Sequence, residues 1–223
     1  MKKQKKKKKL KVGRLVFLLL VLSAISFACI KYIDIPITNI MIEGNELLSD
    51  QEIIEEAKLD DYPSYFKIIT FVIEKNLSKN PYIKDVKVTK GILNIKIKVK
   101  ENKVLYIDKE TNYKVTIKGK VKDDKIVCAP YLTNNVLDNK KEDFLKALNK
   151  INKNILCKMS EIKYDPNNID LDRYFVYMND GNRVYLTVNK FEKINKYNKI
   201  LENVGKQNGI IYLDYGDYFE ANS

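Results

Sequence analysis

From Ile37 to Asn102 the apolar residues follow a two-residue period, then a helical one, then the two-residue period again. Ile40 and Ile42 alternate with Asn39, Met41 and Glu43, which predicts a short half-buried strand. Gly44-Asn45 breaks it, since both residues tolerate the positive φ of a tight turn. Ser49-Asp50-Gln51-Glu52 has the form of a capping box, in which the serine hydroxyl and the glutamate each satisfy an orphan N–H at the start of a helix. Ile53, Ile54, Ala57 and Leu59 supply the buried stripe of that helix. After a turn around Asp60–Pro63, Ile69, Val72, Ile73 and Leu77 fall at helical spacing. Asn80-Pro81 ends this second helix, because proline pushes the residue before it out of the α region. Val86 and Val88, then Leu93, Ile95, Ile97 and Val99 across Lys90-Gly91, alternate with lysines and predict two strands. The order is β-α-α-β-β, two helices over one face of a three-stranded sheet.

The remaining chain, residues 103–223, reads as a second, mixed sheet domain. Lys103–Ile107, Tyr113–Val121, Ile126–Leu132, Glu161–Tyr164, Ile169–Leu171, Tyr174–Met178 and Arg183–Val188 are predicted strands. Phe144, Leu148, Ile151 and Ile155 mark the core face of a helix that starts near Asn139. Asn179-Asp180-Gly181-Asn182 is a hairpin signal, because Asp-Gly supplies the positive φ of a primed turn. A helix buried through Phe191, Ile194, Leu201 and Val204 follows, with Gly205 as its C-cap. Gly209–Asp214 is the last predicted strand, and Tyr215, Tyr218 and Phe219 trail beyond it.

Leu15–Ile30 is uncharged and apolar except for Ser23 and Ser26. Sixteen helical residues reach about 24 Å, short of a hydrocarbon core of about 30 Å, but Arg14 and Lys31 can snorkel and Tyr32-Ile33 extends the span. The expectation is a transmembrane helix over residues 15–33, with a basic cytoplasmic tail at 1–14 and everything else outside. The formal net charge of +12 does not argue for nucleic acid. Ten of the 41 Lys and Arg residues lie in residues 1–31, which hold no acid, so the rest carries 31 basic against all 29 acidic groups. A basic block before an apolar segment suits the positive-inside rule and anionic lipid. Ser26-Phe27-Ala28 also has the small residues a signal peptidase reads, so the alternative is a secreted or lipid-anchored binding module cleaved near Ala28, before Cys29.

The segments "IEGNELLSDQEI" and "NPYIKDVKVTKGILNIKIKVKEN", in β-α-α-β-β order after a membrane segment, resemble the POTRA domain of the FtsQ/DivIB family of bacterial cell-division proteins. "VCAPYLTNN" looks like that family's proline-leucine-threonine-glycine turn, with Asn134 where glycine is common. "NDGNRVYLTV" with "NGIIYLDYGDYF" resembles its closing hairpin and final strand. The resemblance implies an α+β protein: one N-terminal transmembrane helix, a POTRA-type domain at 37–102 and a mixed α/β sheet domain at 103–223. It implies a single-pass scaffold enriched at the division septum. Its partners would be FtsB/DivIC-like and FtsL-like proteins, and it would help regulate the septal peptidoglycan synthase through them.

No chemistry competes with this reading. With no histidine, His-based triads and histidine metal sites are excluded. Asp60-Asp61, Asp123-Asp124 and Glu55-Glu56 are adjacent acids in turns or on a helix surface, and no Walker loop or nucleophile elbow is present. No catalytic residue, cofactor or metal site is therefore expected. Of three cysteines one lies in the membrane segment, and Cys128 and Cys157 stand either as a disulfide or as two buried small hydrophobes. The candidate partner site is the last strand, taken as an open sheet edge: Ile210, Ile211, Tyr212, Leu213 and Asp214, with Tyr215 beside it.

Overall fold

The computed structural model describes residues 12–32, 34–205 and 207–222. The basic run from Lys2 to Lys11, and Ile33 at the far end of the expected span, lie outside the described residues. Helix α1 (Val12–Tyr32, 21 residues) is longer than the uncharged run and takes in Arg14 and Lys31. At 1.5 Å per residue it reaches about 31 Å, enough to cross a hydrocarbon core.

The first sheet forms as its pattern predicts. Strands β1 (Asn39–Glu43), β2 (Ile83–Lys90) and β3 (Asn94–Glu101) lie in the order β1-β3-β2, with β1 parallel and β2 antiparallel to β3. Gly44 turns the chain at φ +88°, and a side chain there would collide with the Val99 carbonyl. Helix α2 (Asp50–Glu56) opens with the expected capping box: the Glu52 N–H donates to Ser49 Oγ at 3.2 Å and the Ser49 N–H to Glu52 Oε2 at 2.8 Å. Ile53, Ala57 and Leu59 are buried against Ile95 and Ile97 of β3. The second helix departs from expectation. A short 3-10 turn (Tyr65–Lys67) precedes α3 (Thr70–Leu77), which buries only Ile73 and Leu77, while Ile69 and Val72 face outward.

The second sheet has nine strands: β4 (Tyr106–Asp108), β5 (Lys114–Val115), β6 (Lys120–Val121), β7 (Tyr131–Leu132), β8 (Met159–Tyr164), β9 (Arg173–Met178), β10 (Arg183–Thr187), β11 (Gly209–Tyr212) and β12 (Tyr218–Ala221). Their spatial order is β12-β11-β10-β9-β8-β7-β4-β5-β6. One face is covered by α4 (Asp138–Asn149), α5 (Lys153–Leu156), a 3-10 helix (Val188–Lys196) and α6 (Tyr197–Val204). Phe144 of α4 stacks on Tyr174 of β9 at 4.7 Å, with Phe191 edge-on to both, so large aromatics fill the centre of this core.

Three expectations for this half are corrected. Ile126–Leu132 is not a strand apart from β7; Ile126 is 98% exposed, while Val127 and Ala129 pack on the core of the first sheet. Ile169–Leu171 is a turn with both apolar side chains exposed, held by the Asn167 side chain, which accepts the Ile169 and Asp170 N–H groups. The helix expected to run from Asn139 to Ile155 is broken near Asn152, although Ile151 and Ile155 are buried as their spacing predicts. Asn134, in place of glycine, makes two hydrogen bonds of 2.8 Å to the Tyr164 backbone and so continues the sheet with its amide.

Candidate partner-binding edge

The expected site does not lie at the edge. β11 pairs on one side with β10, parallel, and on the other with β12, antiparallel. The inward side chains of Ile211, in β11, and Leu213, just beyond it, are buried in the core. The open edge is β12, four residues beyond the last strand read from the sequence.

The direction of each amide on this edge follows from two hydrogen bonds. The Asn222 N–H donates inward to the Asn208 carbonyl at 2.9 Å, and the Leu213 N–H donates to Tyr185 of β10 at 2.9 Å. Amides alternate along a strand, so those of Glu220 and Tyr218 point at β11 and those of Phe219 and Ala221 point outward. Gly209 makes the close pairing possible: a Cβ there would collide with the Glu220 carbonyl and the Phe219 ring, and its N–H donates to Asn182 Oδ1 at 2.9 Å.

The sheet face away from the helices carries an aromatic ladder that ends at this edge. Tyr185 lies 4.4 Å from Phe175 and stacks at 5.3 Å on Tyr212, which stacks at 4.4 Å on Tyr218. Arg173 lies 3.7 Å over the Tyr185 ring while its Nε donates to Asp214 at 3.0 Å, so Asp214 closes an ion pair within the chain. Tyr212 Oη donates to Glu220 at 3.0 Å. Burial and this carboxylate push the Tyr212 hydroxyl up to about 12, which keeps it a neutral donor. Tyr215 is exposed and Ile210 half-buried. On the helix side, Ile200, Val204 and Phe219 line a groove with Lys193 and Lys196 along its rim.

Of the expected residues, then, the structure brings Ile210, Tyr212 and Asp214 onto the open face and leaves Tyr215 exposed, but buries Ile211 and Leu213. Sequence reasoning missed Tyr218–Ala221 as a strand. Among the described residues no cluster of three or more His, Cys, Asp or Glu side chains is placed to hold a metal.

A three-stranded sheet of β-α-α-β-β order, followed by a mixed sheet that ends in an open strand, defines a POTRA-bearing protein. Residues 35–102 match the POTRA domain of FtsQ type, and residues 99–216 match the C-terminal region of the cell division protein FtsQ/DivIB. The chain belongs to the FtsQ/DivIB family of cell-division proteins. It is 29% identical to the cell division protein DivIB of Bacillus anthracis over 98% of this chain and 87% of that protein. Against DivIB of Bacillus subtilis (strain 168) the identity is 28%, over 98% and 88%. Against DivIB of Bacillus cereus it is 30%, over 84% and 78%. A solved major extracytoplasmic domain of DivIB from Geobacillus stearothermophilus is 27% identical, with a TM-score of 0.37 over 43% of this chain and 86% of that one.

Proposed function

We propose that the protein is a non-enzymatic, single-pass scaffold of the division machinery, with its N-terminus cytoplasmic and residues 34–223 outside. It acts at the septum by holding FtsB/DivIC-like and FtsL-like partners, and through them it regulates the septal peptidoglycan synthase. The α1 helix, the POTRA-type domain at 37–102 and the sheet domain at 103–223 are its working parts. Membership of a cell-division family supports the setting, and the observation that carries the mechanism is the open β12 edge beside the Tyr212–Tyr218 stack. A partner strand laid along β12 would take the outward N–H groups of Phe219 and Ala221, with Tyr212, Tyr215 and Tyr218 setting specificity.

The test is a calorimetric titration of the full chain in detergent against the extracellular segment of an FtsB/DivIC-like protein. Ala221→Pro removes an outward donor at an exposed position, so it should lower affinity at least about tenfold while the melting curve stays put. Unchanged binding by the folded variant moves the partner site off this edge.

A further inference from the structure

We propose that the first sheet domain rests on the outer surface of the membrane that holds α1, inserting a small apolar cap into the lipid interface. The inference rests on α1 being the membrane anchor.

The cap is assembled at one end of the domain, the end where the chain arrives from α1. Tyr32 ends the helix and Pro36 already bridges to Ser64, so four residue steps separate the two, a reach of at most about 14 Å. The Tyr65 N–H donates to the Ile35 carbonyl at 2.8 Å and the Ile37 N–H to the Pro63 carbonyl at 3.3 Å, which ties the 62–72 segment to the entering chain. The tip of the β2–β3 hairpin joins the same end. The Thr38 N–H donates to the Leu93 carbonyl at 2.8 Å, and Lys90 Nζ donates to the Ile68 carbonyl at 3.2 Å while lying 4.0 Å from the Tyr65 ring.

Phe66, Ile69, Phe71, Val72 and Ile92 are exposed on these segments, Phe71 at 68% and Ile92 at 90%. No core explains them. Ile73 and Leu77 already supply the buried stripe of α3, while Ile69, at the extended N-cap, and Val72 stay exposed. Several large apolar side chains gathered in this way mark an interaction surface rather than scattered exposure.

Two observations select lipid as the occupant. The short tether holds this end at the interface whatever else the protein binds, so a bilayer surface is always within reach. Charge agrees. Lys67 pairs with Asp34 of the tether at 3.5 Å, and Asp60-Asp61 precede the segment. That leaves Lys75 and Lys79 as the cations of α3 and the turn after it, while Glu74 is turned inward to accept the Val88 N–H at 2.8 Å. Phe71 and Lys75 lie four residues apart on the exposed face of α3 and Lys79 is exposed in the turn just after it, so the aromatic end can enter the interface while the lysines meet anionic headgroups.

The chain has no tryptophan, so a single introduced indole is a unique reporter. The full chain is reconstituted in vesicles of phosphatidylcholine and phosphatidylglycerol carrying nitroxide-labelled lipid. Phe71→Trp and Ile92→Trp should each lose about half their fluorescence or more to a shallow nitroxide. Ile169→Trp, at a 92% exposed position of the second sheet domain, should lose little. Lys75→Glu with Lys79→Glu should reduce the quenching of Phe71→Trp, most in vesicles rich in phosphatidylglycerol. Phe17→Trp in α1 separates the two readings, since a membrane anchor places it within reach of a deep nitroxide. If Phe17→Trp is quenched while the indoles at 71 and 92 behave like the one at 169, the cap is not on lipid and the proposal fails. A blue-shifted but unquenched indole at 71 also overturns it, in favour of a second copy or another protein. An unquenched Phe17→Trp brings down the anchor and this proposal together.

Discussion

Tyr82 Oη, at the start of β2, donates a 2.9 Å hydrogen bond to Asp123 Oδ2, in the segment that follows β6 of the other sheet. The same carboxylate pairs through Oδ1 with Lys114 Nζ of β5, and the Asp123 carbonyl takes a second bond from that amine at 2.6 Å. Tyr82 and the Lys114 side chain are both nearly removed from solvent. Around this triad, Thr116 Oγ1 and Asn102 Nδ2 donate to the Pro81 carbonyl at 3.0 and 2.8 Å. Lys125 Nζ reaches Glu52 of α2 at 2.7 Å. Val121, Val127 and Ala129 lie against the first core beside them, so residues 114–129 fasten one sheet to the other.

Asp123→Ala should therefore be costly out of proportion to its size. It leaves the buried Lys114 ammonium without its counter-charge, a loss of about 3 kcal/mol by analogy with other broken buried pairs. Tyr82→Phe removes one hydrogen bond and should cost about 1 kcal/mol. Chemical denaturation of the two variants checks the ranking, and equal losses would mean that the ion pair is not the main element of the clamp.

The same clamp sets a pH dependence. Burial opposes ionisation of Asp123, but hydrogen bonds from Lys114 and Tyr82 outweigh it and hold the carboxyl below its ordinary value. A carboxyl depressed by folding contributes stability that is complete above its unfolded pKa, about 3.9, and is lost as pH falls through the folded value. Wild type should thus lose its advantage over Asp123→Asn as pH is lowered below about 4. Melting temperatures of both across that range provide the measurement. A constant difference would show that Asp123 titrates alike folded and unfolded.

Ile97 sits fully buried in β3, opposite Ile42 of β1 and Val88 of β2, so Ile97→Asp places an unpaired charge inside the first core. A loss above about 4 kcal/mol is expected. Lys96 occupies the other face and pairs with Glu43 at 2.5 Å, so Lys96→Glu sets like charges together at a solvent-exposed site, costing about 1 kcal/mol or less. Similar melting of the two variants would contradict this register.

What the sequence made legible was local. Ser49 and Glu52 form their box from residues three apart, and Asp180-Gly181 turns its hairpin with Gly181 at φ +89°, so neither needs knowledge of the rest of the fold. The first sheet was readable because its alternation runs over whole strands, with Ile95, Ile97 and Val99 all inward. The clamp was not. Val121, Val127 and Ala129 show no sustained period, and only tertiary contact with a core some distance back in the chain explains their burial. Ile69 and Val72 misled for another reason: spacing does not mark where a helix begins, and Ile69 is left as its extended N-cap while Val72 lies beside the buried stripe rather than on it. β12 left little pattern because only Phe219 of its four residues is even half-buried, as on a strand with one side open. The expected edge was therefore placed one strand too far inside.

Cys128 and Cys157 form a disulfide in the structure, with their Cα atoms 5.0 Å apart. The bond closes a loop with a sequence separation of 29, which the chain-entropy account values at about 3.6 kcal/mol. Reduction of the purified protein should lower its melting temperature, and Cys128→Ser should match the reduced protein and no longer respond to reductant. Protein unfolded without reductant should show one thiol reactive to maleimide, Cys29, and three reactive thiols would show that the pair is not bonded.

The edge itself can be loosened without opening the core beneath it. Ile211 and Leu213 anchor β11 from the helix side, whereas β12 is held mainly by its ladder to β11 and by the half-buried Phe219 ring. At Gly209 the two strands leave no room for a Cβ. Gly209→Val brings a branched side chain against the Glu220 carbonyl and the Phe219 ring, and the strand free to give way is the outer one. The expected cost is about 2 kcal/mol, with the Phe144–Tyr174–Phe191 core retained. Hydrogen exchange resolves where that cost falls. The amides of Tyr218 and Glu220, which point at β11, should lose protection, while those of Ile162 and Val176 in the interior strands β8 and β9 keep theirs. Ile211→Pro is the contrasting change, since the Ile211 N–H points at β10 and its loss should unsettle the whole sheet. If Gly209→Val left the Tyr218 and Glu220 amides protected, β12 would be held by contacts other than this ladder, and the proposal that partners pair along it would lose its structural basis.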